Sequence, residues 1–532
     1  MTKRLRFFAG ALASILALSL TPLAHSSGDR PMLVRIRPDS DSDAAFLFSH
    51  YDETHNHTHG EIELLLWPGD QAELDALGFD YQVVVEDLFA RDSARDTSAP
   101  APIKMPGPDR EDYRNLTDYN TEMQDLAKKN PDLVKLVEMP RPSLEGRPVF
   151  GVEIAADVKK QDGRPIFYMD GVHHAREWPA AEYSMLFIHH LVENFGKNPK
   201  VTSLLEKSRV ITVPIVNVDG FDYTRESVTS VNQPARNATS NLSAGNGFEG
   251  YWRKNRRSLT GVTAPGAQRN PDAYGVDPNR NYAYLWGDSN GGSSGLHVDQ
   301  TYRGDAPFSE PEVENVRDLV LGRSVTGIIT NHTYQASVLR AGGGDAPEDD
   351  ILESIGGKMA EILGYTNQAT VGYPTTGTTD DWGYASKAIL GFTIEHGRLG
   401  FHPAYADEVG KYWKQHMEAF TLMLGTSANP RYHSILKGKV AGGYAELRLT
   451  KTFETPLSEG NPTGEASVTE EIDMKLATAK NGSFVWHVTP SSRPFEKKAE
   501  TYKLTIKSGG KTKTIAISVD RGEVLNLGTI RL

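Results

Sequence analysis

The chain has 532 residues, a formal charge of −12 and no cysteine. That length predicts about two to four domains, and the apolar (38%) and charged (24%) fractions are ordinary for a soluble globular protein. The acidic balance argues against a nucleic-acid or anionic-membrane binder, both of which need a basic field, and the missing cysteines exclude disulfides, thiolate metal sites and a cysteine nucleophile. Any metal must therefore be held by His, Asp or Glu.

Residues 1–26 read as a secretory signal peptide. Lys3, Arg4 and Arg6 make a basic start, an apolar run follows from Phe7 to Leu20, and Ala24-His25-Ser26 supplies small residues for cleavage. The expected location is secreted or periplasmic, with no integral membrane segment once the signal is removed. Segment 27–95 reads as a small α/β domain. Leu33 to Ile36, Ile62 to Leu66 and Tyr81 to Val85 fit strands in the order strand, helix, strand, helix, strand. Asp70 three residues before Glu73 has the spacing of a capping box, and Gly78 suits the helix end. His55, His57 and His59 alternate there; a solvated polar edge explains them better than a metal site. Residues 96–110, within a stretch of Arg, Ser, Pro, Ala and Asp without periodicity, read as a linker open to proteases.

From 111 to 427 strands and helices alternate, which predicts a mixed sheet covered on both faces, a three-layer α/β/α domain. Pro165 to Met169, Val210 to Val216, Val325 to Ile329 and Leu390 to Ile394 are apolar strands. Pro179 to Asn194 is a helix with proline in its first turn, and Ser309 precedes another that opens on acids. Residues 226–250, rich in Ser, Asn, Gly and Thr, read as a long surface loop. From 428 to 532 the period changes to two. Tyr444 to Leu449, Ser483 to Val488, Tyr502 to Ile506 and Thr514 to Val519 alternate apolar and polar residues, as a β-sandwich does.

The chemistry concentrates after the strands. Asp170-Gly171-Val172-His173-His174-Ala175-Arg176-Glu177 follows one strand, and His174 and Glu177 are spaced so that one helical turn brings both to one side. Imidazole plus carboxylate suits zinc without a thiolate, but His-x-x-Glu alone is weak, and a satisfied histidine beside a helix-start glutamate is the commoner arrangement. His332 and Glu395 stand at the exits of two further apolar strands, where sites gather in such sheets. Arg253 and Arg280 sit in polar loops; a guanidinium fork suits a substrate carboxylate, though each taken singly reads as a solvated surface residue.

Together these strings resemble the zinc carboxypeptidases of the carboxypeptidase A/B family. His174-x-x-Glu177, Trp252-Arg253-Lys254, Asp277-x-Asn279-Arg280-Asn281, His332-x-Tyr334, Tyr373, Asp381-Trp382 and Glu395 run in the family's order over about 111–427. The resemblance implies one zinc per chain held by His174, Glu177 and His332, with Asp277 orienting His174 and His173 a decoy. It implies Glu395 as general base, Arg253 as oxyanion stabiliser, and Asn279, Arg280 and Tyr373 as the grip on the free C-terminal carboxylate. Arg176 and Tyr334 would line further subsites. The residue before Asp-Trp sits at the floor of the C-terminal side-chain pocket in this family; here it is Asp380, which implies release of C-terminal Lys or Arg from peptides and proteins. Segment 27–95 resembles the family's pro-segment and implies a zymogen, whereas the tail's role stays open. A cell-wall amidopeptidase, an acyl-amino-acid deacylase and a non-catalytic binding protein share the scaffold. The complete ligand, base and anchoring set favours the carboxypeptidase. The 226–250 loop lengthens the gap before His332, and the segment from Glu395 to Phe401 is shorter than in the digestive enzymes.

Overall fold

The computed structural model describes residues 30–54, 56, 60–67, 69–94, 104–229, 248–258, 275–288, 292–370 and 375–532. The signal segment, the alternating histidines, Tyr373, most of the linker and most of the 226–250 loop lie outside them.

The central sheet has eight strands. Its order is Thr366–Gln368, Ser337–Arg340, Leu390–His396, Val325–Thr333, Ile166–Gly171, Arg209–Val213, Phe150–Ile154 and Val134–Glu138. The middle four run parallel, while the flanks include antiparallel pairs, so the sheet is mixed as expected. Every residue of those four strands is buried, which is why they read as unbroken apolar runs rather than alternations. Helices including Trp178–Asn194, Thr379–Lys387 and Lys411–Ala428 cover the sheet and share its core. Two strands run longer than their apolar stretches suggest. Val325–Thr333 takes in His332 and Leu390–His396 takes in Glu395, so both groups lie in the last turns of the ladder rather than beyond it.

The N-terminal unit is a four-stranded antiparallel sheet with the helices Asp41–His50 and Asp70–Leu77. The capping box does not form: Asp70 is the first helical residue, Gly69 occupies the cap, and the Asp70 carboxylate instead accepts from the Trp67 N–H at 2.9 Å. Gly78 ends the helix in the left-handed region at φ +75°, where glycine is favoured.

The tail packs a three-stranded sheet on a four-stranded one. Three of its strands, Ser434–Val440, Ser467–Ala477 and Val524–Ile530, escape the sequence reading. Its core is continuous with that of the catalytic sheet. Trp486 donates to Ser324 Oγ at 3.0 Å, and Trp382, on a catalytic-domain helix, donates to the tail's Glu470 at 3.1 Å. Glu470 also accepts from Thr455. Burial pushes Glu470 up to about 7, against the pull of those two donors. The stability gained from its neutral form is complete below the unfolded carboxyl value and is lost as pH rises through about 7. Glu470→Gln is therefore expected to stabilise the protein at pH 8 by on the order of 3 kcal/mol and to leave pH 4 unchanged. Denaturant midpoints of both proteins at the two pH values check this; parallel pH dependences refute it.

Candidate metal centre and its cleft

Three adjacent parallel strands deliver the central groups to one edge. Ile166–Gly171 leads into the turn carrying His173, His174 and Glu177, while His332 and Glu395 are the penultimate residues of Val325–Thr333 and Leu390–His396. Register places Glu395 directly opposite His332. Val172 leaves the first strand at φ +53°, a costly conformation for a β-branched residue, immediately before the two histidines. The chain then makes a tight turn rather than a helical one, and Glu177 sits at the cap of the helix Trp178–Asn194.

His174 Nδ1 lies 2.7 Å from Glu177 Oε1, His332 Nδ1 lies 3.0 Å from Glu177 Oε2, and the two Nδ1 atoms are 3.1 Å apart. All three side chains are buried, and their ligand atoms fall within 4.8 Å of one another. Such a set could hold a metal ion. Burial, helped by the Arg253 cation, keeps both imidazoles below the ordinary histidine value, which favours the neutral form that donates a lone pair. Asp277 Oδ1 stands 3.2 Å from the far nitrogen of His174, and Arg253 donates to Asp277 Oδ2 at 2.9 Å. Burial opposes a charge on Asp277, yet Arg253 and His174 hold it well below the usual carboxylate range. The anionic partner thus turns Nδ1 of His174 towards Glu177 and His332. His173 points elsewhere, its Nε2 2.9 Å from Tyr282 Oη and 3.0 Å from Thr379 Oγ1.

A cavity of about 340 Å³ opens beside this group and is lined by Asn279, Arg280, Asp380, Thr393 and Glu395 among others. Burial, then the neighbouring Glu177 and Glu53 carboxylates, raises Glu395 well above the usual carboxyl value. Asp380 and Asp381 open the helix Thr379–Lys387, and burial raises both. Asp381 is satisfied by Gly342 N–H at 2.7 Å and Thr378 Oγ1 at 2.9 Å. Asp380 faces the cavity and takes part in no ion pair among the described residues.

Arg176 and Tyr334 are occupied by the N-terminal unit. Asp52 receives the Arg176 fork in a two-point bond at 2.5 and 2.6 Å, and Trp67 Nε1 donates to the same carboxylate at 3.0 Å. Tyr334 Oη donates to Glu63 at 2.8 Å. Leu33, Leu65, Trp67 and Leu88 of that unit pack with Tyr251, Tyr334 and Phe401 across the cleft, and Asp92 accepts from Tyr251. The sequence reading singles out none of these N-terminal acids. Asp52 and Glu63 stand on short strands beside apolar residues and Asp92 in a short helix, positions that carry no sequence signal of their own.

A buried His-Glu-His group, an acid opposite it and arginines beside a pocket are the parts of a metal-dependent hydrolase. Residues 119–419 match the zinc carboxypeptidases, peptidase family M14, and the chain belongs to that family. It is thereby a metallocarboxypeptidase, a peptide exopeptidase. Human carboxypeptidase B is 26% identical over 315 residues, 56% of this chain and 67% of that protein. Carboxypeptidase B of Helicoverpa zea is 28% identical over 324 residues, 56% of this chain and 67% of that one. Among solved structures, carboxypeptidase A from Helicoverpa armigera shares the fold with a TM-score of 0.58 at 21% identity, covering 76% of this chain and 99% of its own. No helix among the described residues is long and apolar enough to cross a membrane.

Proposed function

We propose that the protein is exported, carries one zinc on His174, Glu177 and His332, and releases C-terminal Lys or Arg from peptides and proteins. The observation that carries the preference is Asp380, a buried carboxylate with no ion-pair partner among the described residues, in the same cavity as Arg280 and Glu395. A buried anion favours a cationic side chain and disfavours an apolar one. Asn279 and Arg280 hold the substrate's C-terminal carboxylate, joined by Tyr373. That grip confines cleavage to the last peptide bond, because an internal bond has no carboxylate nearby. When bound, zinc polarises the scissile carbonyl and acidifies water. Glu395 takes the proton of the attacking water and hands it to the leaving amine. The Arg253 guanidinium, aligned by Asp277, stabilises the developing oxyanion. Residues 27–95 act as a pro-segment, removed when the 96–110 linker is cut, which leaves the catalytic domain 111–427 with its tail 428–532.

The test is a panel of peptides ending in Lys, Arg or Phe, assayed with and without a chelator on intact and linker-cut protein. The expected result is cleavage of Lys and Arg ends, lost with chelator and strongest after the cut. Asp380→Ile is expected to cost roughly 10²–10³-fold on Lys and Arg ends and to improve Phe ends. An unchanged preference refutes the assignment of Asp380.

A further inference from the structure

We propose that Phe495, carried by the C-terminal β-rich tail, is a specificity-determining residue that forms an aromatic wall of the C-terminal side-chain pocket. This rests on the pocket reading given above for Asp380. Phe495 lines the same cavity as Asp380, Arg280 and Glu395, from a region far away in sequence. Its ring stacks on Tyr284, centroids 5.3 Å apart and planes 15° apart, and Tyr284 also lines the cavity. The other contact is edge-on to Tyr384 at 5.6 Å, on the helix Thr379–Lys387 that carries Asp380. Phe495 thus touches both the aromatic wall and the element that holds the pocket acid.

The loop that presents Phe495, between the strands Ser483–Val488 and Tyr502–Ser508, is held by hydrogen bonds and ion pairs. Arg493 donates to Glu500 at 2.8 and 3.0 Å and to the Glu454 carbonyl at 2.8 Å. Lys451 joins the same Glu500 at 2.8 Å and the Ser491 carbonyl at 2.7 Å. The tail is also bonded to the backbone next to Tyr284: Leu285 N–H donates to Pro456 and Ser458 N–H to the Trp286 carbonyl, both at 3.0 Å. These ties fix the ring against the pocket from both sides.

Chemically, a stacked Phe-Tyr pair over an acid floor suits a long side chain with an apolar stem and a cationic head. The stem packs on the rings, and a guanidinium gains more from an aromatic face than an ammonium does. The wall therefore favours C-terminal Arg over Lys and over small residues.

The experiment compares linker-cut, zinc-loaded full-length protein with its Phe495→Ala, Phe495→Leu and Phe495→Tyr variants on peptides ending in Arg, Lys, Phe or Ala. The expected result is a roughly 3–30-fold loss in kcat/KM on Arg ends for the Ala and Leu variants, carried by KM with kcat retained. Lys ends lose less, Ala ends stay unchanged, and Phe495→Tyr restores the Arg preference. Phe495→Leu keeps an apolar side chain in place, so it decides the matter if Phe495→Ala does not fold. Equal losses on all four peptides, or unchanged ratios between them, overturn the proposal. A wild-type protein with no preference for basic ends instead overturns the reading of Asp380. In that case the wall assignment still stands or falls on whether Phe495→Leu changes the ratio of the preferred end to Ala.

Discussion

Glu395→Gln is expected to lose turnover on the order of 10²–10⁴-fold while the protein keeps one zinc per chain. Gln matches Glu in shape but cannot accept the proton of the attacking water. Glu395 stands opposite His332 across one ladder rung, so the substitution changes the chemistry next to the proposed ligands without altering them. Burial and the Glu177 carboxylate raise Glu395 in the ion-free protein, which makes it a stronger base than an exposed glutamate once ionised. The measurement pairs kinetics on linker-cut protein with zinc content by atomic absorption. Turnover within a fewfold of wild type sinks the assignment of Glu395 as base. Loss of zinc together with turnover would instead show that Glu395 supports the metal site.

The second large effect concerns the N-terminal unit in its proposed role as a cap. Asp52 and Arg176 form a buried ion pair at the cleft, and removing one partner of such a pair costs about 3–5 kcal/mol because the other charge is left without compensation. Asp52→Ala in the uncut chain is therefore expected to raise the open fraction, and with it the initial rate on a short peptide, by roughly 10²–10³-fold until the cap is fully open. After linker cleavage and removal of the N-terminal unit, the variant and wild-type rates should coincide, which also shows that the catalytic domain has folded normally. Intact wild-type protein as active as cut protein would refute the cap, and an intact variant no faster than intact wild type would refute the role of Asp52. The partner chemistry is apt. A carboxylate clasped by the Arg176 fork copies what an acidic or carbonyl group of a peptide would offer at that subsite.

Much of the fold is legible in the sequence because the parallel core announces itself. Strands buried on both faces leave unbroken apolar runs, and Ile166–Gly171 and Arg209–Val213 are found on that ground. Strand ends are less legible: His332 and Glu395 are polar, so the apolar run stops while the ladder goes on. The tail shows the converse. Ser467–Ala477 alternates, but its outward positions carry Glu, Asp and Lys, which are poor strand formers, and only pairing along the whole of Glu446–Pro456 fixes it. The capping pattern at Asp70 fails because Trp67 offers a competing backbone donor.

For the site, residue types and order point to the chemistry, whereas convergence of His174 with His332 is a property of the sheet. No spacing rule predicts contact across that distance. The N-terminal acids Asp52 and Glu63 and the tail's Phe495 lie outside any motif. Each owes its place to docking between units, which a single sequence does not encode locally.

The seam between the tail and the catalytic sheet has a consequence for timing. Synthesis runs from the N-terminus, and units fold largely as they emerge. The N-terminal unit, the proposed ligands and the proposed base all precede in sequence Glu470, which accepts from Trp382, and Phe495, which lines the cavity. A nascent or truncated chain can thus assemble its reactive groups while its pocket still lacks a wall. On the proposed reading, synthesis of the tail is therefore a checkpoint on the pocket.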